Sequence, residues 1–537
     1  MQPNLAAKAA GRLKPVVSTL RWTMNSSLRY SQHDPLCFLS KCLSEAVMDL
    51  AFASDDSDRP ESPCEASAFP SPLPKFRRLI LLVVTLSTLN AQAKDQFINR
   101  AAELEQAFSN AQAGDTLLLR PGNYDFYRLD TATSGTAGAP ITVRADVPGT
   151  ARIRATGSEL FSVHHPWWVF EDLIIEGANG SDHAFHITGN ASHVAIRRNV
   201  IIDFNSHIKI NGEPGDKYPD DGIVEDNDIF NRAARITDEP VTAIDLVAGS
   251  RWVIKDNYIA DFAKDGGDRT SYGVFMKGNS DHGVIERNLV ICSRNTVGDT
   301  QVALSLGGGG TGTEYCRGRS CETEHRAGII RNNIVLNCSD VGIYLNKASD
   351  SLVVHNTLLM TNGIDVRFRE SSANVFNNIL TGDVRERDGG TAVARDNLAF
   401  GNRFGMWIPT IANRLQQRMS DSDAASPSWV SHERRTRWQG LVADLNTRIT
   451  RSELGLGRDE TLRCFPAMSH GDLAPGVDNC EVVSSSPAMT HEDFWGHRRQ
   501  EAVTYRGAID FRTSSSDLTA RLTRRPVPQP IGPGSHR

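Results

Sequence analysis

A basic surplus is missing from this 537-residue sequence: Lys and Arg number 58 against 64 Asp and Glu, for a net charge of −6. That balance excludes the positive surface nucleic acid demands, so an anionic glycan would need its cations gathered locally, in a groove. Long hydrophobic runs are also scarce. The run from Leu79 to Val84, extended to Leu89, is too short to cross a bilayer, and no stable membrane span is expected in the mature protein. Helical spacing is absent from the middle of the chain, where apolar residues alternate over four to six positions and are cut by Gly, Asn, Ser or Asp.

What fills the middle is one repeated phrase: an apolar pair, one or two charged residues, Asn, another apolar pair. It reads AIRRNVII at 195, IVEDNDIF at 223, VIKDNYIA at 253, VIERNLVI at 284, IIRNNIVL at 329, VVHNTLLM at 353 and VFNNILTG at 375, with ARDNLAF at 394 as a weaker copy. Aligned on positions 199, 227, 257, 288, 333, 357, 378 and 397, the steps are 28, 30, 31, 45, 24, 21 and 19 residues. Thr357 replaces Asn in this alignment. Such periods mark a repeat architecture, and most are too short for a propeller blade of roughly 40–45 residues. They fit a right-handed parallel β-helix, an all-β solenoid in which each rung gives one strand to each of three sheets. At a fixed corner the Asn is expected in the left-handed conformation, its amide bonded to the Asn one rung up.

Ahead of the repeats, residues 96–177 run from QFINRAAELEQAFSNAQAGDTLLLRPGNY through GAPITVRAD to WWVFEDLIIEG. This stretch resembles the opening of the β-helix polysaccharide lyases that include alginate lyases and chondroitinase B, and the likeness extends over roughly residues 96–400. It implies an amphipathic capping helix from Ala101 to Ala111, then the first strands of the solenoid. It further implies a secreted enzyme acting by β-elimination on a polysaccharide.

The ends read differently. Residues 75–93, KFRRLILLVVTLSTLNAQA, have the basic start, short apolar run and small-residue cleavage site of a secretory signal peptide. Residues 1–74 then form an unstructured upstream extension, with the true start expected near Leu73. The β-helix is assigned to 94–400, a mixed C-terminal cap with helical segments to 401–511, and a disordered tail to 512–537. Secretion, or a periplasmic location, agrees with six cysteines beyond the leader. Disulfides are expected at Cys316/Cys321 and Cys464/Cys480. Cys292 and Cys338 fall on neighbouring rungs, where a bridge and stacked free thiols are both open. A monomer is expected.

Aligning the strand before each Asn gives an inward column of Ile187, Ile210, Leu246, Met276, Leu306, Leu345 and Val366. Its neighbours must face outward, because side chains alternate along a strand. One outward column reads His186, Lys209, Asp245, Phe275, Ser305, Tyr344 and Asp365; the other reads Thr188, Asn211, Val247, Lys277, Gly307, Asn346 and Arg367. Lys209, Asn211, Asp245, Tyr344, Asn346 and Arg367 are candidate substrate-binding residues, supplying charges for uronate carboxylates and an aromatic face for a sugar. Two loops, 262–272 and 301–327, are expected to wall the central rung. Lys277 matches the lysine of the lyases' strand-Lys-turn-Asn pattern and is the leading base, with Arg269 to pair a carboxylate and lower the lysine's pKa. His325 and Tyr272 are further acid or base candidates. Lys277, Arg269 and His325 are expected to converge within one groove under the two loops.

The family's calcium is not matched here. The positions seven and five residues before Lys277 hold Thr270 and Tyr272 rather than acidic ligands, and the expected arginine on the next rung is replaced around Gly307. Asp265, Asp268, Glu322 and Glu324 could supply oxygen ligands from the loops; otherwise the site works without metal. Besides a lyase, a non-catalytic glycan-binding protein and a glycoside hydrolase on the same fold are open. The hydrolase is disfavoured because Asp245 and Asp365 lie four rungs, roughly 19 Å, apart at ~4.8 Å per rung.

Overall fold

A computed structural model describes residues 93–399 and, nearer the C-terminus, 483–484, 490–494, 496, 498–499 and 504–508. The upstream extension, nearly all of the signal segment, the tail, Cys464, Cys480 and most of the proposed cap lie outside the described residues. Within 93–399 the chain is the expected parallel β-helix. Three sheets of 12, 11 and 10 strands run side by side, each strand bonded to its equivalents one rung before and after. A helix at Ala101–Asn110 closes the N-terminal end by burying Leu104, Ala107 and Phe108. The Phe108 ring packs against those of Phe161 and Trp168.

The inward column holds throughout. Ile187 pairs with Ile210, then Leu246, Met276, Leu306, Leu345 and Val366 in unbroken register, and all seven are 0% exposed. The outward column from His186 to Asp365 keeps its register as well, whereas the other pairs from Thr188 to Lys277 and again at Asn346–Arg367 but is interrupted at Gly307, where the strand has ended.

The corner between the first two sheets is a ladder of buried amides. Asn199, Asn227, Asn257, Asn288, Asn333, Asn356 and Asn378 each donate a side-chain N–H to the side-chain oxygen of the next, ending at Asn397, at 2.9–3.1 Å. The same oxygen also accepts the preceding asparagine's backbone N–H, as from Asn257 to Asn288 at 3.1 Å. Two corrections follow. The sixth step is Asn356, not Thr357, because a single-residue shift keeps the amide in line. The left-handed residue is the one before the Asn: Arg198, Asp226, Asp256, Arg287, Asn332, His355, Asn377 and Asp396 have φ of 52–59°. This twist turns the chain while leaving the amide pointing inward.

Cys292 and Cys338, both fully buried, form a disulfide between neighbouring rungs, and Cys316–Cys321 closes the small loop. Near the C-terminus, Arg499 donates to the Asn332 side chain at 2.9 Å, and the Ala508 N–H donates to the Thr357 hydroxyl at 3.0 Å. Among the described residues no helix is long and apolar enough to cross a membrane.

Replacing Asn288 by Ala should destabilise the solenoid by about 2–5 kcal/mol, because it strands buried donors on Asn257 at about 1–3 kcal/mol each. Asn397→Ala, at the partly buried end of the ladder, should cost clearly less. Urea denaturation of the two variants checks this; equal losses would mean that the ladder does not set stability.

Candidate active site

Lys277 ends the strand Thr270–Lys277 on the outward face of the third sheet. Its ammonium lies 4.3 Å from the centroid of the Phe275 ring and makes no ion pair among the described residues. Burial, and secondarily the nearby Lys209, push its pKa below the usual lysine value, against the opposing pull of Asp245 and Glu324. Asp245 is 2% exposed and ion-paired with Lys209. Burial alone would raise that carboxyl, yet Lys209 and Lys277 hold it below the usual carboxylate range. Among the described residues its Oδ1 has no hydrogen-bond partner, and neither has Oδ1 of Asn346. Both are buried acceptors with capacity to spare.

Tyr272 belongs to the same cluster. Its ring stacks on Phe275 at 4.7 Å, and burial pushes its phenol up to about 12. Tyr272 and Phe275 share a face although they are three residues apart, so strict alternation breaks between them. Gly273 falls within that break, where a Cβ would meet the Ala303 carbonyl oxygen at 2.5 Å. Further along the sheet, the Tyr344 hydroxyl accepts from Arg367 at 3.1 Å. Asp365 is held by Arg385 and Arg387 at 2.6 Å each. In the other direction, His186 bridges Glu159 and the Asn211 side chain, 2.8 Å from each.

The expected convergence of Arg269 and His325 on Lys277 does not occur. Arg269 precedes the strand that Lys277 ends, so eight extended residues, roughly 26 Å at ~3.3 Å each, separate them. It is 53% exposed and paired with Asp265 and Asp299. His325 is 0% exposed. It bonds the Ser280 hydroxyl through Nδ1 at 2.7 Å and accepts the Gly283 N–H at Nε2, and burial pushes its pKa down to about 3. It is a corner residue of the core. The two loops likewise lie at opposite ends of the strands: 262–269 precedes Thr270, whereas 307–324 follows Leu306 on the Lys277 side. The outward face is also drier than a solvated sheet, with Val247, Phe275, Ser305 and Asp365 all buried.

The side chains do not fit the calcium of the resembling lyases. Asp265 pairs with Arg269, and Asp268 accepts from Lys264 at 2.9 Å. Glu324, at the other end of the strand, accepts the Gly278 N–H at 2.8 Å, and Glu322 is exposed. Among the described residues no three His, Cys, Asp or Glu side chains gather as a metal cage.

Three site features escaped the sequence. Phe275 serves as the platform under Lys277, Glu324 grips the backbone beside it, and Arg317 ties the loop down. Arg317 pairs with Asp220, donates to the Ala248 carbonyl at 2.9 Å and lies 4.1 Å over the Tyr218 ring. The four glycines at 307–310 were a readable signal for close approach. At Gly308 a Cβ would strike the Phe275 ring at 2.6 Å and sit 3.4 Å from the Lys277 stem.

His325 and His207, which burial pushes down to about 3 and about 4, stay neutral in the folded chain from an ordinary value of 6.5. The unfolded chain therefore binds more protons below that value. Their contribution to stability is full above pH 6.5 and drains as pH falls towards 3. His325→Gln should lose less stability than the parent between pH 7 and pH 5 in urea titrations; an unchanged loss would place His325 in contact with solvent.

Comparison with known proteins returns the same neighbourhood. The sequence profile of the chondroitinase B family matches residues 98–214, less than a quarter of the chain and ending before Lys277. No curated protein matches the sequence. Among solved structures, the chain is similar to a pectate lyase at 14% identity and TM-score 0.40, over 58% of this chain and 82% of that one. It is similar to an alginate lyase from a Paenibacillus species at 18% identity and TM-score 0.38, over 57% and 96%. A lacto-N-biosidase from Eubacterium ramulus also matches, at 11% identity and TM-score 0.39, over 60% and 70%. Residues 93–399 thus form a parallel β-helix, of which 98–214 resembles chondroitinase B.

Proposed function

We propose that this is a secreted or periplasmic polysaccharide lyase that cleaves a uronate-containing glycan by β-elimination, with Lys277 as the base. The observation that carries the reading is a partly buried lysine with no ion-pair partner among the described residues, on the outward face of a long sheet and beside the ion pair of Lys209 with the buried Asp245. A lysine acts as a base only when its surroundings disfavour the charged form, and burial supplies that here.

In the step envisaged, Lys277 takes the proton from C5 of the uronate. The electron pair forms the C4=C5 double bond, the C4–O bond breaks, and the departing oxygen takes a proton. Tyr272, protonated at any ordinary pH, is the donor candidate. Lys209 is the cation nearest to hand for the carboxylate, and Asp245, Asn211, Asn346, Tyr344 and Arg367 are further sugar-binding candidates along the sheet. Arg269 and His325 have no part in it.

One observation favours the non-catalytic alternative: the rung after Lys277 offers Gly307 where the resembling lyases place an arginine. A protein with that gap could hold a glycan without cleaving it. A hydrolase is less supported, since Asp245 and Asp365 remain four rungs apart and are both engaged by cations.

On a polymer that the parent protein cleaves, Lys277→Met should lower the rate of unsaturated-uronate formation by about 10²–10⁴-fold, with urea stability near that of the parent. The parent rate should rise with pH as Lys277 loses its proton, through a midpoint below the ordinary lysine value of about 10.5. Full turnover in Lys277→Met would remove Lys277 from the chemistry. Glycan affinity with no turnover in the parent would establish the binding alternative.

A further inference from the structure

The 307–324 loop is fastened around Lys277 at three points. At its start, Gly308 lies directly on the Phe275 ring and the Lys277 stem, so closely that no side chain fits there. At its end, Glu324 accepts the N–H of Gly278, the residue after Lys277, at 2.8 Å. At its middle, the Arg317 N–H donates to the Gly278 carbonyl at 2.9 Å. Gly278 is therefore held by the loop through both its backbone groups.

The middle attachment is the most elaborate. Besides Asp220, the Ala248 carbonyl and the Tyr218 ring, the Arg317 carbonyl accepts from the Asn279 side chain at 2.8 Å. The next residue, Gly318, donates its N–H to the Tyr218 hydroxyl at 2.9 Å. The Cys316–Cys321 disulfide brackets this stretch and limits how far it can unwind. Arg317 thus joins the 307–324 loop to the 212–221 loop across the short turns that follow Val247 and Lys277. A planar guanidinium can satisfy a carboxylate, a carbonyl and an aromatic face at once, which an ammonium cannot.

We propose that Arg317 is a positioning residue of the Lys277 site, which rivets the two loops together and so keeps the glycine-rich segment over Lys277 and water away from its ammonium. The charged groups acting on Lys277 are Asp245 from the neighbouring rung, Lys209 from the rung before that, and Glu324 from the loop itself. None of these is Arg317, so its influence is exerted through burial. The catalytic consequence rests on the lyase reading; the effect on Lys277 does not.

The test is the titration of Lys277 in the full chain, followed by NMR of ¹³C-dimethylated lysines, with the signal assigned by its loss in Lys277→Met. In the parent, Lys277 should titrate below the other lysines, and in Arg317→Ala its midpoint should move up towards theirs, by an amount that Arg317→Lys does not fully reverse. Tyr218→Leu, which removes the stacking ring and the hydroxyl that accepts from Gly318 but leaves the Arg317 contacts to Asp220 and the Ala248 carbonyl, should move it the same way by less and serves if Arg317→Ala fails to fold. An unchanged Lys277 midpoint in a folded Arg317→Ala or Tyr218→Leu protein, even with lowered thermal stability, would reduce Arg317 to a structural tie and overturn the proposal. On a cleaved polymer the rate profile should shift to higher pH in parallel. Absence of any cleaved polymer would count against the lyase reading while leaving the titration to decide on Arg317.

Discussion

Everything in this molecule hangs on the buried asparagine ladder. A parallel strand pair can slip by one residue and turn its whole apolar set outward. In a solenoid that error would propagate through every later rung. The ladder prevents it by placing at one corner a side chain whose oxygen must accept two N–H groups from the rung before. Any slip would leave those donors unpaired in the core, at about 1–3 kcal/mol each. With the corner fixed, the strand on the third sheet has a fixed phase too, and Lys209, Asp245, Phe275 and Lys277 arrive on neighbouring rungs of one face.

That face is chemically expensive. The ion pair of the partly exposed Lys209 with the buried Asp245 adds little net stability, because desolvation of the carboxylate offsets much of the attraction. Lys277, partly buried and without a carboxylate partner among the described residues, is a cost to the fold. The acceptor oxygens of Asp245 and Asn346 that find no partner among the described residues add to it. Features that a core would not choose are grouped within a few rungs, under a loop whose glycines and Arg317 contacts serve to bring it close. Grouping of this kind is what a binding or reacting site requires, and a sheet that merely completed the barrel would have no use for it.

The sequence conveyed the fold because solenoid information is local and repeated. The inward column from Ile187 to Val366 and both outward columns could be read from alternation alone, and so could Lys277 among them. The ladder was displaced by one residue at Thr357, since His355-Asn356-Thr357 offers two turn-forming residues and only the amide chain distinguishes them. The site was legible along the strands and illegible across them. Arg269 lies close to Lys277 in the chain, but an extended strand converts eight residues into its greatest possible separation. His325 looked like a loop residue, yet a short strand at Ser280–Asp281 pairs with it and draws it into the core. Arg317 had no signal at all, because its partners Asp220 and Tyr218 are about a hundred residues away and meet it only through two intervening rungs.

The central claim is that the Lys277 face performs an elimination on a uronate polymer. Cleavage in ¹⁸O-labelled water, with products read by mass spectrometry, tests it most directly. Elimination predicts an unsaturated terminus and no label incorporated during bond cleavage. Label at the new reducing end would assign the face to hydrolysis, and intact polymer across alginate, pectate, chondroitin and heparin would contradict the enzymatic account.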